Sequence, residues 1–232
     1  MANQIKDITV DHKFVIGLDL GQVNDYTALI VLERSQEVVT EIVPVPDFRD
    51  KAIIRQWSDR QVIKDAFYDC IHVDRYKLGM SYPDIIDDVK SFIATRVKGQ
   101  YILVVDQTGV GRPVFDLVTK AGLDAVGVTI TGGEAITWGK REARVAKRLL
   151  VSTLQAVAQT KRLRLPNGMR NVDILQKEIM TFDYKMTESA NIVYGAREGA
   201  HDDLVLSLAL ALWMGETYGN PQKKAQLLHW SY

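Results

Sequence analysis

Six consecutive residues, Tyr101-Ile102-Leu103-Val104-Val105-Asp106, constrain the fold more than any other feature. Five of them run without polar alternation, which reads as a strand covered on both faces and not as one face of a half-wet antiparallel sheet. Gly109, Gly111 and Pro113 then open a helix reaching Ala121, and Ala125 to Ile130 reads as the next strand after Gly122. Strand, helix, strand is the unit of parallel pairing, so the sheet holding this run must carry helices on its faces.

Upstream the pattern is different. Phe14 to Gly21, Tyr26 to Glu33 and Glu37 to Val45 read as three short β-rich runs, with Gly21 to Asp25 and Arg34 to Gln36 as turns. Such close spacing permits only antiparallel neighbours, because a parallel crossover needs about a dozen residues or more. From Phe48 to Tyr82 the sequence reads as a loop with a short helix, then a strand from Ala66 to Asp74. Pro83 suits a first helical turn, and Ile85, Ile86, Val89, Phe92 and Ile93 carry a helix to about Arg96, ended by Gly99. After the parallel unit the pattern predicts a helix from Glu142 to Thr160, a strand at Leu163 to Leu165, a helix from Asn171 to Met180, a hairpin to Tyr194 and a last helix from Asp202 to Thr217.

The expected architecture is a mixed α/β sheet, with a three-stranded antiparallel start, a parallel second half and helices on both faces. This is the layout of ribonuclease H-like domains. The 232 residues suit one domain, 1–217, with a C-terminal tail at 218–232. With 47% hydrophobic residues the chain can bury a sizeable core, which excludes disorder. The single cysteine, Cys70, excludes an intramolecular disulfide or a thiolate zinc cluster and suits a reducing compartment. The longest apolar run, Leu204 to Met214, falls well short of the ~20 residues a bilayer requires. A cytoplasmic chain, neither exported nor spanning a membrane, is expected.

Three acidic positions stand out: Asp19 inside the first run, Asp106 at the end of the buried strand, and Asp202-Asp203 opening the last helix. Aspartate is depleted in strands and costly to bury ionised without a partner, so a divalent cation is an economical counter-charge. An all-carboxylate set suits magnesium or manganese, whereas zinc would ask for histidine or cysteine. Simpler roles compete. Asp202 and Asp203 suit helix capping, and Asp106 before a glycine turn suits a turn former. His201 could orient a water or simply hydrogen bond, and Asp25 and Thr27 could line a substrate or close a turn.

The runs Ile16-Gly17-Leu18-Asp19-Leu20-Gly21 with Asp25-Tyr26-Thr27-Ala28, Val105-Asp106-Gln107-Thr108-Gly109-Val110-Gly111, and Glu198-Gly199-Ala200-His201-Asp202-Asp203-Leu204-Val205 through Ala211 resemble, in this order, the nuclease domain of the large terminase subunit of tailed bacteriophages. The stretch Ala146-Lys147-Arg148-Leu149-Leu150 looks like a basic segment of the same family. The resemblance implies a ribonuclease H-like endonuclease that cuts double-stranded viral DNA during genome packaging with two metal ions, Mg2+ or Mn2+. Carried over by position, Asp19 would bridge both ions, Asp106 would complete one site, and Asp202 or Asp203 the other. It also implies a small terminase subunit or portal as partners. The packaging motor's phosphate loop, G-x-x-x-x-G-K-[ST], is not matched by Gly133 to Gly139-Lys140-Arg141, so the chain is expected to be either an isolated nuclease domain or a separately encoded relative, with a separate packaging ATPase as a candidate partner for translocation.

Formal charge balances at 29 lysines and arginines against 29 acids, so any surface for a polyanion must be local. Lys140, Arg141, Arg144, Lys147, Arg148, Lys161, Arg162, Arg164 and Arg170 meet only Glu142 within that stretch of sequence. The first five are the candidate DNA-binding residues on an expected basic helix, with Lys147 expected near the scissile phosphate. A solvated helix face is the plain alternative. Rival functions are a RuvC-type Holliday-junction resolvase, an actin-like or sugar-kinase ATPase, which needs two such domains, and a non-catalytic packaging component.

Overall fold

The apolar run is strand β5 (Tyr101–Asp106), and its last four residues are buried. It lies in a nine-stranded mixed sheet, paired in parallel with β1 (Gln4–Asp19) on one side and β6 (Ala125–Thr131) on the other. The computed structural model describes residues 4–21, 25–46, 54–109, 111–186, 192–196 and 201–218. Beyond β1 come β2 (Ala28–Pro46), β4 (Phe67–Arg75) and β9 (Leu163–Arg164), while β3 (Ile54–Ile63) pairs the outer half of β2. Beyond β6 come β8 (Glu142–Ala146), parallel to it, and β7 (Ile136–Gly139), antiparallel to β8. A separate hairpin joins β10 (Phe182–Met186) to β11 (Ile192–Ala196).

Helices α1 (Tyr82–Arg96) and α2 (Gly111–Lys120) cover one face, packing Ile85, Ile86, Val89, Phe115 and Val118 on Ile16, Leu18, Leu103 and Val105. Helices α3 (Lys147–Gln159), α4 (Val172–Thr181) and α5 (Asp203–Tyr218) cover the other, against Val15, Ile30, Leu32 and Val104. Helices therefore lie on both faces, as a strand apolar on both sides requires.

Three local expectations are corrected. The second and third β runs are one strand, β2, because Arg34 does not turn the chain: it is 2% exposed, and its Nε donates to Gly215 O at 3.0 Å. The antiparallel start is thus β1, β2 and β4, with β3 added. The segment expected to be loop and short helix before the Ala66 strand contains β3, whose alternation on a solvated edge is weak. The helix expected from Glu142 begins only at Lys147. Glu142 to Ala146 is β8, where Ala143, Val145 and Ala146 are buried, and Arg141 turns the β7–β8 hairpin at φ 58°. Alanine, glutamate and arginine favour helices, but parallel pairing with β6 overrides that propensity. The tail beyond 218, Val110, and Glu198 to Ala200 of the third motif lie outside the described residues.

Helix α5 is apolar around its circumference because it is buried around its circumference, from Leu204 to Met214. It crosses β1 so closely that a Cβ built on Gly17 would stand 1.9 Å from Ser207 O, and the Ser207 hydroxyl donates to Gly17 O at 2.8 Å. At its other end a Cβ on Gly215 would meet the Tyr68 ring at 2.5 Å. Gly17→Ala forces the helix off the sheet and is expected to cost at least about 3 kcal/mol in urea unfolding. A loss below about 1 kcal/mol would show that the two backbones do not need this approach.

Candidate active site

The parallel register of β1 and β5 sets Asp19 directly beside Asp106, at the carboxyl ends of neighbouring central strands. The close crossing at Gly17 brings the start of α5 over the same strand ends. Asp19, Asp106, Asp202 and Asp203 consequently line one open cleft of about 360 Å³, with Gly21, Asp25, Gly109 and His201 at its sides. All four expected acids are brought together, from three separate stretches of chain.

Their environment is electrostatically costly. Burial, followed by repulsion from Asp106, Asp203 and Asp202, holds the Asp19 carboxyl well above the usual carboxylate range, with Lys147 pulling the other way. Burial also raises Asp106, against hydrogen bonds from Thr108 and the charge of Lys147. The Thr108 amide donates to Asp106 Oδ1 at 2.8 Å, its hydroxyl donates to the same oxygen, and that hydroxyl accepts from Ile130 N at 2.7 Å. The turn-forming role of Asp106 is therefore real, but its carboxylate still lines the cleft. Burial raises Asp203 as well, opposed by Arg75.

Asp202 and Asp203 are held differently. Lys147 Nζ lies 3.2 Å from Asp202 Oδ2, whereas Arg75 Nη2 lies 2.9 Å from both Asp203 Oδ2 and Glu178 Oε1. Arg75 also stacks over Tyr26, 4.2 Å from the ring centre, and Tyr26 meets His201 edge-on at 5.1 Å. Burial pushes Glu178 up to about 7 despite Arg75. Neither Arg75 nor Glu178 stood out in the sequence analysis. A signal existed for Glu178, which follows Val172 and Leu175 on the apolar stripe of α4, where an acid is out of place.

The other expected residues divide. Asp25 is exposed at the cleft, while Thr27 is buried and its Oγ1 accepts from Gly21 N at 3.1 Å, so Thr27 closes the loop. The basic set is not one helix. Lys140 and Arg141 sit at the β7–β8 turn, Arg144 is on β8, and only Lys147 and Arg148 belong to α3. Acids remote in sequence pair with some of them: Arg141 with Asp124 at 3.0 Å and Arg148 with Glu134 at 3.0 Å.

The donor set is all oxygen and carries more negative charge than Lys147 and Arg75 offset, which fits a hard divalent cation. Among the described residues, no three histidine, cysteine, aspartate or glutamate side chains are drawn together as a ready-made cage. Thr108, Lys147 and Arg75 hold the carboxylates instead.

No protein-family model matches the chain. In sequence it is 26% identical over 208 residues to the large terminase subunits of Thermus phage G20c and Thermus virus P23-45, covering 89% of this chain and 33% of each relative. The chain thus spans about a third of the length of the curated relatives it matches. In structure, the large terminase nuclease of thermophilic phage G20c superposes with a TM-score of 0.57 at 22% identity, over 87% of this chain and 81% of that one. The fold is that of a large-terminase nuclease domain. The nuclease domain of Thermus phage P74-26 large terminase gives 0.55 at 20% identity, over 86% and 78%. The G20c nuclease has been solved with bound magnesium and with bound cobalt. The ribonuclease H-like class expected from the sequence therefore holds, and no helix among the described residues is long and apolar enough to cross a membrane.

Arg75 is the central counter-charge for Asp203 and Glu178. Removing one member of a buried ion pair leaves its partner uncompensated, so Arg75→Met is expected to cost about 3 kcal/mol in urea unfolding. Arg148→Met, at an exposed pair, should stay within about 0.5 kcal/mol. Equal effects would mean that the Arg75 cluster is no more than a surface contact.

Proposed function

We propose that this chain is a divalent-metal-dependent DNA endonuclease that cuts viral double-stranded DNA during genome packaging. The observation that carries the reading is the side-by-side register of Asp19 and Asp106 beneath the Asp202 end of α5. The resemblance to large terminases and the metals bound by the G20c nuclease support it. Asp19, Asp106 and Asp202 would hold a pair of magnesium or manganese ions, which when bound would polarise the phosphodiester and acidify water. Asp203, engaged by Arg75, is the weaker candidate ligand.

The remaining groups of the cleft handle substrate. Lys147 stands between Asp202 and the ring of Phe182, where its ammonium can trade the carboxylate for a phosphate oxygen. Lys140, Arg141, Arg144 and Arg148 flank it on the β7–β8 hairpin and α3 and would follow the DNA backbone. Residues 1–217 would act as one nuclease unit in the cytoplasm of an infected host, with 218–232 as a tail. Translocation would fall to a packaging ATPase, with a small terminase subunit or portal as further partners.

Cleavage of supercoiled plasmid by the purified chain tests the chemistry. Cutting is expected with manganese or magnesium, none with EDTA, and about a 100-fold loss or more in Asp19→Asn and Asp106→Asn. Persistent cutting in EDTA or in both variants would sink the metal reading, and preference for a four-way junction over linear DNA would favour a resolvase. Arg144→Gln should weaken binding to all DNA sequences alike and reduce the salt slope by about one. An unchanged slope would remove Arg144 from the interface.

A further inference from the structure

The first turn of α5 is capped in an unusual way. Leu206 N donates to Asp202 O at 2.8 Å, and α5 begins at Asp203, so Asp202 occupies the N-cap position. An aspartate there ordinarily turns its carboxylate back to the second and third amides of its own helix. Those amides belong to Leu204 and Val205, and both donate elsewhere: to Glu178 Oε2 of α4, at 3.0 and 3.3 Å. The other Glu178 oxygen accepts from Arg75 Nη2 at 2.9 Å, which fixes the side chain from behind. Asp202 instead lines the cleft, and its carboxylate accepts from Lys147 Nζ at 3.2 Å.

We propose that Glu178 caps α5 in place of Asp202 and thereby holds the Asp202 carboxylate in the cleft. Two opposing pulls make this necessary. The exposed amides and positive end of a helix dipole attract the nearest carboxylate, and Asp19 repels the Asp202 carboxylate beside it. Without Glu178 both effects drive Asp202 out of the cleft and onto its own helix. Glu178 is thus a positioning residue, touching neither substrate nor cation, and its consequence for metal binding rests on the function proposed above.

The cap itself is tested without any metal. In the intact chain, Asp202→Ala removes no cap, so the unfolding equilibrium constant should change by less than about threefold. In the Glu178→Ala background Asp202 has become the cap, and the same substitution should raise that constant about tenfold more. Additive effects would overturn the proposal. Hydrogen exchange in Asp202→Ala alone gives a second measurement that does not depend on Glu178→Ala folding. The Leu204 and Val205 amides should keep their protection within about threefold, and a tenfold or greater acceleration would assign the cap to Asp202 and overturn the proposal.

Calorimetric titration with manganese reads the consequence. Glu178→Ala should weaken binding about tenfold, while Glu178→Gln, which keeps an oxygen acceptor for the two amides, should recover to within about threefold of the intact chain. Unchanged affinity in Glu178→Ala would overturn the positioning role. An intact chain that binds no manganese, with the stability cycle still non-additive, would remove the metal reading and leave the exchanged cap standing.

Discussion

The approach of α5 to β1 at Gly17 is the constraint on which the rest depends. Only where a strand presents no side chain can a helix backbone come this near a sheet, and the Ser207 hydroxyl then ties the two backbones together. Gly17 lies two residues before Asp19, and Ser207 lies four after Asp203, so the contact fixes the acids on α5 over the acid on β1. Gly215 against Tyr68 repeats the device at the far end, where Tyr68, Arg162 and Glu216 form a linked polar cluster. A helix pinned at both ends cannot slide away from the repulsion at its start.

That repulsion opposes the fold. Burial raises the proton affinity of Asp19, Asp106 and Asp203, and neighbouring carboxylates add to the effect at Asp19 and Asp203. The chain moderates this locally: Thr108 takes one oxygen of Asp106, Arg75 takes Asp203, and Lys147 reaches Asp202. Apolar burial along α5 supplies the opposing stabilisation, since Leu204 to Met214 pack against β1, β2 and β5 from the first turn onward. Stable packing and an electrostatically strained site therefore share one helix.

Much of this was legible in the sequence because it was written in short-range signals. An unbroken apolar run fixed β5 as an inner parallel strand, and an aspartate placed where no turn begins singled out Asp19. The failures are places where a partner distant in sequence decided the structure. Arg34 reads as a turn residue until Gly215 O is seen to accept from it, 181 positions away. Glu142 to Ala146 reads as helix until β6 pairs with it. Arg75 was missed for the same reason, because it acquires meaning only beside Asp203 and Glu178, while Glu178 showed itself only as an acid on the apolar stripe of α4 until the Leu204 and Val205 amides stood beside it. The capping role expected of Asp202 was sound as local chemistry, and its displacement by Glu178 could be seen only once α4 stood beside α5.

Burial, more than sequence clustering, separates the cations that build the fold from those available to a substrate. Arg34 and Arg162 are buried and Arg75 is largely covered, and they hold carbonyls or carboxylates of α5, so giving them up would leave an enclosed carbonyl or carboxylate without its partner. Arg141 and Arg148 are about half exposed, and their pairs with Asp124 and Glu134 are of the surface kind, worth ~0–1 kcal/mol. A phosphate backbone can displace such weak pairs with little loss to the fold, while releasing its own counter-ions. Lys147 stands between the two groups, a quarter exposed and facing Asp202, where substrate and carboxylate would compete for the same ammonium.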